Sequence, residues 1–301
     1  MTTKPQKPGM SGIRDTTLTW ARTPIASLDL TGKRIVVVGG TGGLGRAISQ
    51  LAATRGARVT VVGQTFRDAG VHGIEFEQAD LSKMREASRI GSTLSVDDLD
   101  VLVLTTGIIA GPTREVTDEG LERDMAVSYL SRLALLRALA PRLRSGAHRV
   151  RVFVMGFPGT GQTGVLGDLN AERAYKSMEV HMNTVAGNEA LVLDSVARYP
   201  DVSFFGLNPG LIKTNIRANA LGGTGTYRQK AVEAVLGLFT PSPETYAERI
   251  VPLLFAPELE GRSGAMFDQK AEAILPSPTL TPTHVAAFVM ESEALLARAM
   301  R

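Results

Sequence analysis

Short, strongly apolar runs recur along the chain and alternate with longer stretches of helical period. Ile35–Val38, within the segment Arg34–Val38, is continuously apolar, as expected of a strand buried on both faces of a parallel sheet. Leu44–Arg55 carries helical spacing, and Arg58–Val62 is a second β-branched run. Ile74–Phe76, Val101–Leu104, Val150–Met155, Val202–Leu207 and Gly264–Phe267 read as further strands. Leu121–Leu143 and Glu172–Arg198 read as long amphipathic helices, and His284–Ala299 as a closing one. Strands separated by helices imply βαβ crossovers. The expected fold is therefore α/β: a Rossmann-like, doubly wound parallel sheet of about seven strands with helices on both faces. Residues 1 to 28 show no sustained period and read as an N-terminal arm that Trp20 and Leu28 could pin to the body. Residues 29–301 read as one domain. Ala218–Tyr227 is rich in Gly and Thr, two short helical segments follow it, and a substrate lobe is expected around 215–255.

The chemistry-bearing segment is Val36-Val37-Val38-Gly39-Gly40-Thr41-Gly42-Gly43-Leu44-Gly45-Arg46, a strand, a turn and a helix start in succession. A pyrophosphate must touch backbone N–H groups at such a turn, and any Cβ there would hold it off. The helix start then points its positive dipole end at the phosphates.

Gly39, Gly43 and Gly45 are spaced GxxxGxG, and in this the chain resembles the short-chain dehydrogenase/reductase family. The likeness runs from about residue 30 to about residue 275. Asp80-Leu81 is similar to the family's adenine-binding acid and its neighbour, and Thr105-Thr106-Gly107 stands where the family has Asn-Asn-Ala-Gly. Asn208-Pro209-Gly210-Leu211-Ile212-Lys213-Thr214 matches its Pro-Gly-x-x-x-Thr segment, which contacts the nicotinamide. Ser128-Tyr129-Leu130 lies where retinol-dehydrogenase-like members carry Asn-Tyr-Leu. The resemblance implies that Gly39, Thr41, Gly43, Leu44, Gly45, Gln64, Arg67, Asp80, Leu81, Thr106, Gly107, Pro209, Gly210 and Thr214 hold a nicotinamide dinucleotide. An NAD enzyme places an acid at the end of the second strand to bond the ribose 2′-hydroxyl. Here that stretch reads Val62-Gly63-Gln64-Thr65-Phe66-Arg67, without an acid, which favours NADP (NADPH) over NAD. Arg46 is a further basic residue nearby.

The family's catalytic pattern is interrupted. Its serine position falls on Gly156 and its asparagine position on Ser128. The tyrosine candidate is Tyr175, but its i+4 residue is Glu179, not Lys. A second register puts Glu179 at the tyrosine position and Asn183 at the lysine position. A carboxylate beside Tyr175 would raise its pKa, against activation. Tyr175 and Ser128 are the catalytic candidates. His181, Asn183, Thr105, Thr106 and Arg132 lie near the expected cleft, with His181 reading first as a packed or surface histidine.

Composition adds exclusions. The formal charge of +3 argues for neither nucleic acid nor a membrane surface, and no apolar run approaches the ~18 residues of a membrane helix. The absence of cysteine removes disulfides and thiolate sites, and with four histidines no metal site is expected. A cytoplasmic setting and a small-molecule substrate are the expectation, and the resemblance implies homo-dimers or tetramers. Three functions stay open: an NADP-dependent oxidoreductase reducing a ketone or oxidising an alcohol of a small lipophilic metabolite; an enzyme of the same fold doing non-redox work such as cyclisation, dehydration or isomerisation; and a non-catalytic NADP-binding regulator.

Overall fold

A computed structural model describes residues 12–143, 149–210 and 241–301. The sheet is assembled from β1 (Arg34–Val38), β2 (Arg58–Gly63), β3 (Ile74–Gln78), β4 (Val101–Leu104), β5 (Arg151–Met155), β6 (Ser203–Leu207), β7 (Met266–Phe267) and β8 (Ala273–Ile274). Their order is β3-β2-β1-β4-β5-β6-β7-β8. All neighbours are parallel except β7 and β8, which pair antiparallel with Met266 opposite Ile274. The sheet thus holds eight strands, one more than the pattern indicated. The extra strand is β8, whose two residues are too few to show a period.

Side chains alternate across the sheet, and both faces are apolar. On one face Val36, Val38, Leu102, Leu104, Val152, Val154 and Phe204 pack with residues of the helices α2 (Met84–Thr93), α4 (Ser131–Leu139), α5 (Ser177–Arg198) and α7 (Pro282–Ala299). On the other, Ile35, Val37, Val59, Val61, Val101, Val103, Phe153 and Phe205 pack with α1 (Gly43–Thr54) and α6 (Pro243–Leu254). Tyr129 is a pillar of the first face. It is fully buried, edge-on to Phe288, and a Cβ on Gly187 would stand 2.8 Å from its ring.

Two expected helices have different bounds. Leu121–Leu143 is divided into α3 (Arg123–Met125), a π turn over Ala126–Leu130, α4 and a 3-10 turn over Ala140–Arg142. It starts late because the Glu122 carboxylate accepts the Met125 N–H as a cap at 2.7 Å. The expected helix Glu172–Arg198 begins only at Ser177. The Asp168 carboxylate accepts the N–H groups of Glu172, Arg173 and Ala174, tying those residues into a loop, and Lys176 is extended at φ −136°. Tyr175 therefore stands on a loop and not on α5.

The arm is docked along its described part. Ile13 O accepts the Leu275 N–H, Asp15 N donates to Ala273 O, and Trp20 Nε1 donates to Ala271 O at 2.7 Å. Of the expected substrate lobe, residues 215–240 lie outside the described residues. Its remainder includes α6, whose Tyr246, Ile250, Val251 and Leu254 are core side chains.

Candidate active site

Strand order reverses between β1 and β4, so the chain leaves these strands in opposite directions and opens a crevice at their C-terminal ends. The glycine turn lies there. Gly39 has φ +88°, and a Cβ on it would sit 2.6 Å from Thr106 N. Gly45 allows α1 to approach the turn: its Cβ would stand 2.5 Å from Thr105 Oγ1 and 2.6 Å from Gly39 O. Gly42 caps α1 without any side-chain hydrogen bond, and a Cβ there would meet nothing nearer than Arg67 Nη1 at 3.9 Å. The turn is packed on its protein side and open on its outer side, at the end of α1 where N–H groups lack intrahelical partners. Thr106 Oγ1, at the end of β4, is buried without a hydrogen-bond partner among the described residues. An open backbone cradle and an orphan hydroxyl fit a dinucleotide.

The surroundings of β2 separate the basic candidates. Arg67 is exposed and donates to Thr41 O at 2.7 Å, so its guanidinium stands over the turn. Arg46 is engaged elsewhere: its Nε and Nη2 fork onto Asp68, which also accepts from Gln50. The Arg46 guanidinium holds the buried Asp68 carboxyl below its usual range against the effect of burial, with Gln50 assisting. Asp68 is an acid that the reading of Val62–Arg67 stopped one residue short of, and it is neutralised by that fork. Gln64 donates to Asp80 Oδ1 at 2.7 Å. Burial works against the Asp80 charge, yet bonds from Ser82 and Gln64 keep its pKa low. Leu81 is buried in the core, and Leu44 packs against it from the other face. Asn208 is buried after β6, its Oδ1 accepts the Gly210 N–H, and Gly210 has φ +66°. Pro209 and Gly210 thus make a turn directly after β6, while Thr214 lies outside the described residues.

Beyond the turn, β4, β5, the π turn and α5 converge on a buried polar cluster. Arg132 is 4% exposed. Its guanidinium donates to Thr106 O, Met155 O and, at 2.7 Å, to Asn188 Oδ1. Burial pushes its pKa down to about 9, with Asp124 acting the other way, so it stays charged at neutral pH. Asn188 Nδ2 donates to Ser128 O, and a Cβ on Gly156 would stand 3.0 Å from Asn188 Cβ. Ser128 lies in the π turn, accepts the Ile108 N–H and donates to Asp124 Oδ1 at 2.5 Å. Asp124 Oδ2 takes the Ala110 N–H and lies 2.8 Å from His181 Nδ1. Gly107 borders the cluster, 3.7 Å from Ser128 Oγ by its would-be Cβ.

Tyr175 stands beside this cluster. Its hydroxyl donates to Gly111 O at 2.7 Å. Burial first, then the charges of Glu122, Asp124 and Glu115, raise its pKa; the sequence had looked to Glu179 for that effect. Glu179 instead pairs with Lys176, and Asn183 is buried with its Oδ1 accepting the Val165 N–H. Asp124 and Asn188 were missed from sequence. The signal was present: Asp124, Ser128 and Arg132 recur every four residues, and His181, Thr184 and Asn188 share one face of α5. Among the described residues no cluster suited to a metal ion occurs, and no helix is long and apolar enough to cross a membrane.

Comparison with known proteins agrees with this architecture. The short chain dehydrogenase family model matches residues 33–163. An uncharacterized oxidoreductase of Saccharomyces cerevisiae is 48% identical over 298 residues, covering 96% of both chains. Retinol dehydrogenase 14 of Homo sapiens is 26% identical over 279 residues, covering 81% of both. Among solved structures, a 3-oxoacyl (acyl-carrier-protein) reductase of Agrobacterium tumefaciens C58, crystallised with NADP bound, superposes with TM-score 0.57 at 19% identity over 81% of this chain and 95% of that one. With nearly half of its residues shared end to end with an oxidoreductase and the glycine turn in place, this chain belongs to the short-chain dehydrogenase/reductase family.

Proposed function

We propose that the chain transfers hydride between NADP(H) and the carbonyl or hydroxyl carbon of a small lipophilic metabolite. The observation that carries this reading is the corner of β1 and β2: an open glycine turn, no acid over Val62–Arg67, and Arg67 lying across Thr41. In this reading Gly39, Thr41, Gly42, Gly43, Leu44 and Gly45 hold the pyrophosphate, and Arg67 with Thr41 meets the 2′-phosphate. Asp80 and Leu81 border the adenine. Thr106, Gly107, Pro209 and Gly210 surround the nicotinamide, which supplies or accepts the hydride when bound. Ser128 fixes the cleft through Asp124 and Ile108 N. The NADP in the Agrobacterium reductase and the retinol in the human relative's name support the cofactor and the substrate class.

A second reading, the fold kept for non-redox work, draws on one observation. The Tyr175 hydroxyl is engaged by Gly111 O and its pKa is raised, with no lysine four residues on. Both readings face the same assay: NADPH consumption with a panel of lipophilic aldehydes and ketones, retinal included. The oxidoreductase reading expects saturable turnover with members of that panel. Tight NADPH binding with no consumption across the panel would point to the second reading.

A further inference from the structure

Resting on the oxidoreductase reading, we propose that His181, held by Asp124, is the group that gives and takes the substrate proton in this active site. Asp124 is fully buried, and as a carboxylate it can only accept hydrogen bonds. Both oxygens are occupied: Oδ1 by Ser128 Oγ, Oδ2 by Ala110 N at 3.0 Å and by His181 Nδ1 at 2.8 Å. His181 Nδ1 must then be the donor, which turns Nε2 into the working nitrogen. Nε2 has no hydrogen-bond partner among the described residues, and the His181 side chain keeps 19% of its surface exposed. A buried structural histidine ordinarily has both nitrogens engaged.

Position supports the role. His181 is one turn into α5 and shares its face with Thr184 and Asn188. Asn188 is bound to Ser128 O and Arg132, and it packs under Gly156 at the end of β5. The face bearing His181 is thus the one turned toward the ends of β4 and β5. Glu179 and Asn183 lie on the other side, Asn183 on the loop at Val165. Glu122, Arg132 and Tyr175 also interact electrostatically with Asp124.

The chemistry balances. In reduction the carbonyl carbon gains the hydride and the π pair moves to oxygen. The oxygen takes the proton from imidazolium Nε2, leaving a neutral ring whose Nδ1–H remains on Asp124, and solvent restores the proton. Oxidation runs the same transfers backward, with neutral Nε2 taking the hydroxyl proton. An imidazole held by a carboxylate is a general acid–base group in its own right, so this role does not call on a lysine.

Two measurements on the full chain test this. Long-range 1H–15N spectra of histidine-labelled protein, with His181 assigned by substitution, report the tautomer. The neutral ring is expected as Nδ1–H; a ring protonated on Nε2 overturns the proposal. His181→Asn retains an amide donor for Asp124 and removes the working nitrogen. It is expected to cut kcat about 10²–10⁴-fold with NADPH affinity within about twofold. Wild-type turnover that His181→Asn matches overturns the role of His181 and leaves the oxidoreductase reading standing. A wild type that binds NADPH and consumes none overturns the oxidoreductase reading itself.

Discussion

Replacing Gly45 by alanine separates the packing role of the glycine turn from its binding role. The new Cβ would stand 2.5 Å from Thr105 Oγ1, 2.6 Å from Gly39 O and 3.0 Å from Gly39 C. Ordinary contacts begin near 3.4 Å, so the neighbours must yield by almost an ångström. Gly39 cannot, because its N–H is on Val62 O at 2.8 Å and its own α-carbon faces Thr106 N. Thr105 can rotate only by giving up its bond to Val38 O at 2.9 Å. Overpacking costs about 1–3 kcal/mol and the lost bond about 1. The better helix propensity of alanine returns about 1 kcal/mol. The net loss of about 1–3 kcal/mol lowers Tm by roughly 2–12 °C, at about 2–4 °C per kcal/mol for a chain of this order of size. Gly42→Ala is the counterpart. Its φ of −163° suits any residue and its Cβ meets only Arg67 Nη1 at 3.9 Å, so stability should change by less than about 0.5 kcal/mol. That Cβ nevertheless projects into the open side of the turn, and NADPH affinity should fall at least about tenfold, or 1.4 kcal/mol. Differential scanning fluorimetry and NADPH titration read both. A Gly45→Ala protein melting within 1 °C of wild type, or a Gly42→Ala protein binding NADPH like wild type, would refute the packing argument or the phosphate position respectively.

Arg132→Leu leaves Thr106 O, Met155 O and Asn188 Oδ1 without their shared donor, and a loss of about 2–5 kcal/mol is expected in urea unfolding; a change under 1 kcal/mol would contradict it. Glu189 is buried, accepts from Gly159 N, Ser277 N and Ser277 Oγ, and burial outweighs those bonds to raise its pKa. The folded state then binds its proton more readily than the unfolded chain, so its contribution to stability falls as pH rises above about 4.5 through the folded pKa. Glu189→Gln should lack that decline, and unfolding curves of the two proteins that run parallel over pH would count against it.

The strands that carry the site were legible because β1, β4 and β5 are apolar at successive positions, as two-faced burial requires. The glycine turn was legible for a similar reason, since close approach at Gly39 and Gly45 leaves no alternative residue. The bounds of the long helices were not. Asp168 competes for the N–H groups of Glu172, Arg173 and Ala174, and nothing in helical period reveals a side chain bonding to backbone four to six residues on. That shift carried Tyr175 off the helix and placed His181 near its start, so counting from the family's motif could not find the cluster. The Asp124–Ser128–Arg132 spacing was visible, but its meaning depended on Asn188 and His181, some 56 residues away in sequence.

The claim on which the rest depends is that the corner of Thr41 and Arg67 selects a 2′-phosphate. Calorimetric titration of the wild-type chain with NADPH and with NADH tests it directly. NADPH is predicted to bind at least about tenfold more tightly, a difference of about 1.4 kcal/mol, and Arg67→Ala to shrink that preference to about threefold or less. Equal affinities, or tighter binding of NADH, would contradict the account.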